Sequence, residues 1–140
     1  MEQEEDKKKK QLISDKYLED IRNDTVLDQY NLPRECCETV NKTQRYIEDY
    51  YQQKRKLRQI ELLRDEEVGK LFKYYKTEFE IKLTSSQDVM KFVAQDSKYK
   101  KIMNSFYEQE CLVEFMDRTI KNLNNKVWMI RNAVELEKMS

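Results

Sequence analysis

The chain has 140 residues and equal numbers of basic and acidic side chains, 27 of each, so its formal net charge is zero. That balance excludes an overall field that would draw the protein to nucleic acid or to a membrane, and any charge-driven binding must be local. One glycine, one proline and 39% charged residues are typical of long helices with few tight turns, so we predict an all-α fold.

Residues 1–10 are almost all charged, with four acidic side chains followed by four lysines. Because this run has nothing to bury, it is predicted to be a disordered tail. It is not the apolar segment of a signal sequence, and no apolar run in the chain approaches the roughly 20 residues of a membrane span. We therefore expect a soluble protein that is not exported.

The next residues predict a short first helix. Apolar side chains from Leu12 to Ile21 recur every three or four positions, which is the spacing of one helix face. A second helix is expected to begin near residue 32, because Asn31 can cap it and Pro33 suits a first turn whose N–H groups lack partners.

From residue 34 to residue 76 the only residue that weakens a helix is Gly69. One or two long helices are therefore predicted here, with a bend near Lys54, where the apolar spacing drifts. Gly69 is compatible either with a hinge or with a close helix contact.

After a loosely patterned stretch, residues 84–88 predict a loop and the start of a short third helix. Asp96 or Ser97 can then cap a last, long helix. This helix carries the most regular pattern in the chain, because apolar residues from position 99 to position 134 follow an a/d heptad. Such a stripe must be buried, either against other copies of the chain or inside a bundle of its own helices.

The first of these alternatives predicts an oligomer. The a positions include Tyr99 and the d positions include Ile102 and Gln109. Trp128 lies beside the seam and is expected to close against a neighbouring helix. The side chains expected to join subunits are Phe106, Val113, Met116, Ile120, Leu123, Val127, Trp128, Ile130 and Val134.

A local excess of positive charge lies between residues 54 and 76, where eight cations face four carboxylates and the segment carries a net charge of +4. Tyrosines and a phenylalanine interleave with these cations. Cations for phosphates and flat rings for unstacked bases are the usual means of gripping single-stranded nucleic acid. The residues predicted to contact it are Lys54, Arg55, Lys56, Arg58, Arg64, Lys70, Lys73, Tyr74, Tyr75 and Lys76.

The residue types of common catalytic and metal sites are scarce. The chain has no histidine, no nucleophile motif and no Gly-rich phosphate loop. Its cysteines, Cys36, Cys37 and Cys111, have neither zinc-site nor disulfide-framework spacing and are expected to be reduced packing residues. The carboxylates at 65–67 are expected to be solvated. We expect no enzyme activity, no cofactor and no metal.

Several short stretches follow the order of one known family. Leu18 to Ile21 is similar to its opening signature, and Ile60-Glu61 and Tyr74-Tyr75 match two of its residue pairs. The most specific stretch is 120–134, with its basic, aromatic, Ile, basic, Asn and Ala pattern. Further matches are Asp24, Leu27, Asp28, Leu32, Glu35 and Tyr46. Over residues 18–136 the chain thus resembles the UvsY-type recombination mediators of T-even-like phages.

The resemblance implies a non-catalytic helical protein in the cytoplasm of the infected bacterial host. It implies a ring-like homo-oligomer of about six or seven copies. Its implied partners are single-stranded DNA, the phage recombinase and the single-strand-binding protein that the recombinase replaces. Under it, residues 11–84 form the DNA-binding region and residues 85–140 the oligomerisation region. The alternative is a coiled-coil scaffold or adaptor with no nucleic-acid role.

Overall fold

The computed structural model describes residues 13–27 and 31–139. These residues form four helices and no strand, which confirms the predicted all-α fold. The predicted tail at 1–10, and residue 28 of the family-like stretch, lie outside the described residues. The helices are α1 (Asp15–Thr25), α2 (Leu32–Thr77), α3 (Ser86–Gln95) and α4 (Ser97–Met139).

Helices α2, α3 and α4 begin near the residues that the sequence predicts. At each start, a short polar side chain or a backbone carbonyl accepts a hydrogen bond from an N–H group of the first turn. The Ser85 hydroxyl accepts a hydrogen bond from the backbone N–H of Asp88 at 3.1 Å and so caps α3. An Asp96 carboxylate oxygen accepts from the N–H of Lys98 at 2.8 Å at the start of α4. The carbonyl of Asn31 accepts the first intrahelical bond of α2.

Helix α2 runs unbroken for 46 residues, so of the two alternatives one long helix is correct. Gly69 lies within it without a positive φ angle. A Cβ added there would meet no atom of the described structure within 4 Å, so the glycine does not serve a close helix contact. It lowers the helix propensity of α2 by about 1 kcal/mol relative to alanine.

The chain folds as two compact units. Unit 1 comprises Met1–Tyr50 and Glu114–Ser140, and unit 2 comprises Tyr51–Val113. The sequence suggests a boundary between residues 84 and 85. Each unit contains residues from both sides of that boundary. That boundary divides the chain by function and stays a prediction.

The apolar core of unit 1 joins α1, α2 and α4. Ile21, Tyr46 and Leu123 are buried together, with Tyr17 and Ile120 packed against them. The rings of Tyr17 and Tyr46 meet edge to face at 5.8 Å. Burial, followed by a hydrogen bond to Asp49 for Tyr17 and to Asp24 for Tyr46, raises the pKa of both phenols well above the usual value. Both rings are therefore neutral donors in the physiological range.

A polar cluster completes unit 1. Lys126 on α4 is only 6% exposed, and its amine donates to the carbonyl of Asp24 at 2.6 Å and pairs with Glu35 at 2.8 Å. The Asp24 carboxylate accepts from Lys42 at 2.9 Å and from the Tyr46 hydroxyl at 2.6 Å. Asp24 and Lys126 thereby link the last turn of α1 to α2 and α4.

The heptad stripe of α4 is covered in part by the chain's own helices. Three d-position side chains in unit 1, Met116, Leu123 and Ile130, are buried in a single chain. The a-position residues Ile120, Val127 and Val134 are half-buried. Trp128 is 62% exposed. Within a single chain, Trp128 and these a-position residues of unit 1 therefore keep some exposed surface, whereas the three d-position residues do not.

Unit 2 is built where α3 packs on α2 and α4. Leu71, Val89 and Val93 form its core. The half-buried side chains around this core are Phe72, Tyr75, Leu83 and Tyr99. Farther along α4, the amide of the buried d-position residue Gln109 donates to the backbone carbonyl and to the side chain of Gln53. The heptad interruption at 109 therefore has a partner on α2.

None of the helices in the described part of the chain is both long and apolar enough to cross a membrane.

The buried amine generates a prediction about stability. Lys126→Met keeps most of the side-chain volume but leaves the Glu35 carboxylate without its cation, and should lower the free energy of unfolding by about 3 kcal/mol. Adding Glu35→Gln should recover at least half of the loss. Urea unfolding followed by circular dichroism measures both.

The matched control is Lys121→Met, which removes an exposed i,i+4 pair with Asp117 on the same helix and should leave the free energy of unfolding almost unchanged, because surface ion pairs contribute little to stability. Equal losses for the Lys126 and Lys121 variants would contradict a supporting role for the buried pair.

Candidate nucleic-acid interface

The predicted basic segment lies on the second half of α2, within unit 2. Most of its side chains are exposed to solvent. Arg64 and Tyr75 are the two exceptions, both half-buried. The exposed members are Lys54, Arg55, Lys56, Arg58, Lys70, Lys73, Tyr74 and Lys76.

Several cations of the segment already have partners. Arg58 pairs with Glu61 at 3.1 Å and Lys70 with Glu66 at 3.2 Å. Both pairs are on the surface, where such contacts contribute little, so a phosphate can displace either carboxylate. Arg64 differs, because its guanidinium pairs with Asp65 and also lies 4.4 Å from the ring centre of Phe106. Arg64 therefore holds α2 against α4 in unit 2.

The first four cations do not share one face. Lys54, Arg55 and Lys56 are consecutive, and successive helix residues point about 100° apart. Lys54 and Arg58 lie one turn apart and do share a face. A strand that crosses this part of α2 can contact two or three of these side chains at once, and the others add to the local field.

The aromatic end of the segment is a cluster of packed rings. Tyr74, Tyr75 and Phe79 lie with ring centres 5.0 to 6.3 Å apart, and Phe92 of α3 packs against Tyr75 and Phe79. Tyr74 is 44% exposed, so its ring remains available to a ligand. Tyr75 is oriented by its hydroxyl, which donates to Asp96 at 2.6 Å.

The Tyr75–Asp96 bond alters the acidity of both groups. The hydrogen bond to Asp96, together with burial and the nearby carboxylate, raises the pKa of Tyr75 to about 12. In return, the Tyr75 hydroxyl and the backbone N–H of Lys98 lower the pKa of the Asp96 carboxyl. The bond is therefore intact over the whole physiological range.

Lys70 lines a groove that sequence reasoning did not identify. The groove has a volume of about 460 Å³ and is bounded by residues of α2 on one side and α4 on the other. Lys98 and Lys101 line it opposite Lys70. The three lysines within residues 98–101 could have indicated a second basic site in the sequence. Only the fold shows which two of them line the groove. The full lining is Leu63, Glu66, Glu67, Lys70, Lys98, Lys101, Ile102 and Ser105.

The described residues contain no group of three or more His, Cys, Asp or Glu side chains that could hold a metal ion. Cys37 and Cys111 are exposed and Cys36 is half-buried, and all three are unpaired thiols. The arrangement of unit 2 offers cations and an aromatic ring to a ligand, which suits binding of an anionic, aromatic polymer.

Comparisons with known proteins bear on the family and on the fold. A model of the family described as "Recombination, repair and ssDNA binding protein UvsY" matches residues 20–140 and confirms the resemblance of the short stretches. The fold is similar to crystal structures of the bacteriophage T4 recombination mediator protein UvsY. The lattice type II structure gives a TM-score of 0.82 at 14% identity, covering 92% of this chain and 98% of that chain. The lattice type I structure gives 0.78 at 15% identity, covering 87% and 96%. A search of curated proteins found no match.

The pKa values generate a prediction about pH. The lowered pKa of Asp96 means that its contribution to stability is complete above about pH 4 and is lost as pH falls through the folded value. The raised pKa of Tyr75 means that its contribution is complete below about pH 10 and is lost as pH rises through about 12. Tyr75→Phe should therefore cost about 1 kcal/mol at pH 7 and less at pH 3 or pH 12.

Unfolding in urea at the three pH values measures this difference, with Tyr74→Phe as the control from the same ring cluster. A deficit of Tyr75→Phe that stayed constant from pH 3 to pH 12 would show that the Asp96 bond is not its cause.

Proposed function

Because the chain belongs to the UvsY family of recombination, repair and single-stranded-DNA-binding proteins, we propose that it is a non-catalytic recombination mediator that binds single-stranded DNA. The observation that carries the proposal for this chain's own residues is the run of exposed cations on α2 beside the exposed ring of Tyr74. Cations neutralise phosphates and release counterions, and a flat ring stacks on an unpaired base.

The proposed DNA contacts refine the sequence prediction. Lys54, Arg55, Lys56 and Arg58 supply exposed charge in the middle of α2, and Lys70, Lys73, Tyr74 and Lys76 supply exposed side chains near its C-terminal end. Arg64 and Tyr75 act indirectly, since Arg64 packs on Phe106 and Tyr75 orients the aromatic cluster through Asp96.

Self-association is proposed to use the exposed edge of the heptad stripe. In unit 1, a groove of about 420 Å³ lies between Val40 and Ile47 of α2 and Val127 and Trp128 of α4. Val40 is 55% exposed, and the guanidinium of Arg131 lies 5.6 Å from the centre of the Trp128 ring. A second copy of the chain is the proposed occupant, because this groove brings Trp128, the most exposed member of the predicted interface, and Val127 beside the exposed apolar residue Val40 of α2.

The mechanism we propose is multivalent capture of one strand. A homo-oligomer places several copies of the basic surface on the same DNA, so the second and later contacts form at high effective concentration. Such capture would strain the complex of the strand with single-strand-binding protein and present the DNA to the phage recombinase. The proposed setting is the cytoplasm of the infected bacterial host.

DNA binding is tested by neutralising the first cation cluster. The variant Lys54→Gln, Arg55→Gln, Lys56→Gln, Arg58→Gln should bind a labelled single-stranded oligonucleotide more weakly. The slope of its log Kd against log salt concentration should be smaller by up to about 3, because each phosphate contact on a single strand contributes about 0.7 to that slope. Fluorescence polarisation at several salt concentrations measures both.

The matched control neutralises four exposed cations of unit 1, Lys16, Arg22, Arg118 and Lys138, and changes the net charge equally. Equal slopes for the two variants would assign the binding to net charge alone. Wild-type protein that shows no preference for single strands over duplex would favour the coiled-coil scaffold instead.

The oligomer is tested at Trp128. Trp128→Ser should reduce the mass measured by sedimentation equilibrium while leaving the unfolding free energy of a single chain within about 0.5 kcal/mol, because the ring is exposed in one chain. Met129→Ser, at an equally exposed neighbouring position outside the groove, is the control. An unchanged mass for Trp128→Ser would place the subunit contact elsewhere.

A further inference from the structure

Two cavities of unit 2 adjoin each other and are together called the groove below. The cavity of about 460 Å³ described above shares Glu67, Lys70 and Lys98 with a second cavity of about 660 Å³. The second cavity is walled by the aromatic cluster, with Tyr74, Tyr75 and Phe79 on one side. The groove therefore has a basic part, where Lys70, Lys98 and Lys101 converge, and an aromatic part directly beside it.

We propose that this groove is the path of the DNA strand on unit 2, with Lys98 and Lys101 of α4 contacting phosphates together with Lys70 and with a base stacked on Tyr74. The proposal rests on the proposed function and adds two residues that lie outside the predicted basic segment. It also assigns the aromatic cavity to one nucleotide of the strand.

Helix periodicity explains why these side chains meet. Leu63, Glu67, Lys70 and Tyr74 are spaced by four, three and four residues, so they lie along one face of α2. On α4, Lys98 and Lys101 are three residues apart and share a face with Ser105. Lys100 lies on the same turn but does not line the groove. From Leu63 to Tyr74 the groove follows α2 for roughly 16 Å, the rise of about five stacked nucleotides.

The aromatic part of the groove is preorganised. The Tyr75 hydroxyl is held by Asp96, and its ring is fixed between Phe79 and Phe92. Tyr74 meets the rings of Tyr75 and Phe79 edge to face, at 5.1 Å and 6.3 Å between ring centres, and remains 44% exposed. Because the supporting rings are already immobile, little side-chain entropy remains to be lost when a base stacks on Tyr74.

The acidic side chains of the groove limit how strongly it attracts a phosphate. Asp96 is engaged by Tyr75 and by the N–H of Lys98, and Glu66 pairs with Lys70. Glu67 also lines both cavities, where it repels a phosphate. Three lysines opposed by these carboxylates give weak attraction in a single groove, which favours a strand that is held by several copies.

The test compares DNA binding by variants of lysines that line the groove with DNA binding by variants of lysines nearby that do not. In the full-length protein, Lys98→Ala with Lys101→Ala should weaken binding of a labelled single-stranded oligonucleotide by about tenfold or more and lower the salt slope by about 1.4. Two matched references are Lys100→Ala, which removes one charge from the same turn, and Lys100→Ala with Lys91→Ala, which removes two charges outside the groove. Both references should change binding less than threefold.

Wild-type binding separates the two proposals. If the wild-type protein does not bind single-stranded DNA, the proposed function and this inference both fail. If the wild type binds in a salt-dependent manner but the Lys98/Lys101 variant behaves like the Lys100/Lys91 variant, the function stands and the groove is wrong.

The stacked base is tested at Tyr74. Tyr74→Ala should weaken binding by roughly five- to 150-fold, whereas Tyr74→Phe should stay within twofold of wild type, because stacking needs the ring and not the hydroxyl. Glu67→Gln should tighten binding. Equal affinity of the Ala and Phe variants, or a Glu67→Gln variant that binds more weakly, would overturn the assignment of the aromatic cavity.

Discussion

The buried amine of Lys126 is the constraint on which unit 1 depends. A charged amine removed from water is tolerated only with partners close by, and here they are the Asp24 carbonyl at 2.6 Å and the Glu35 carboxylate at 2.8 Å. The last turn of α1 and the first turn of α2 must therefore stay against α4. With those ends held, Tyr46 reaches Asp24 and Leu123 closes the apolar core.

The same residues explain why a few short stretches are enough to indicate the family. Asp24, Glu35, Tyr46 and Lys126 all stand in stretches that resemble UvsY-type proteins, and all four meet in this cluster. These four matched positions therefore serve the fold of unit 1. The proposed DNA contacts lie in unit 2, where only the Tyr74-Tyr75 pair among them belongs to a matched stretch, because binding by exposed cations depends on charge more than on exact position.

Local features of the chain could be predicted from its sequence. Which element packs against each helix face could not. Caps such as Ser85 and Asp96 act within a few residues, so the sequence contains all that they need. A 3.5-residue period shows that α4 must bury one face, but it does not say whose helix covers it. The hydrogen-bond partner of Lys126 is 102 residues away in the chain. Lys98 and Lys101 come close to Lys70 only because α4 packs beside α2.

Self-association and DNA binding then draw on different residues of the chain. The proposed subunit contact uses exposed apolar side chains of unit 1, notably Trp128, and the proposed strand contacts use cations and one ring of unit 2. Three lysines opposed by several carboxylates attract a phosphate only weakly, since each exposed contact contributes little. Under the two proposals, tight binding of DNA would require several grooves on one strand, so Trp128 of unit 1 would influence the affinity of unit 2 by setting the number of copies.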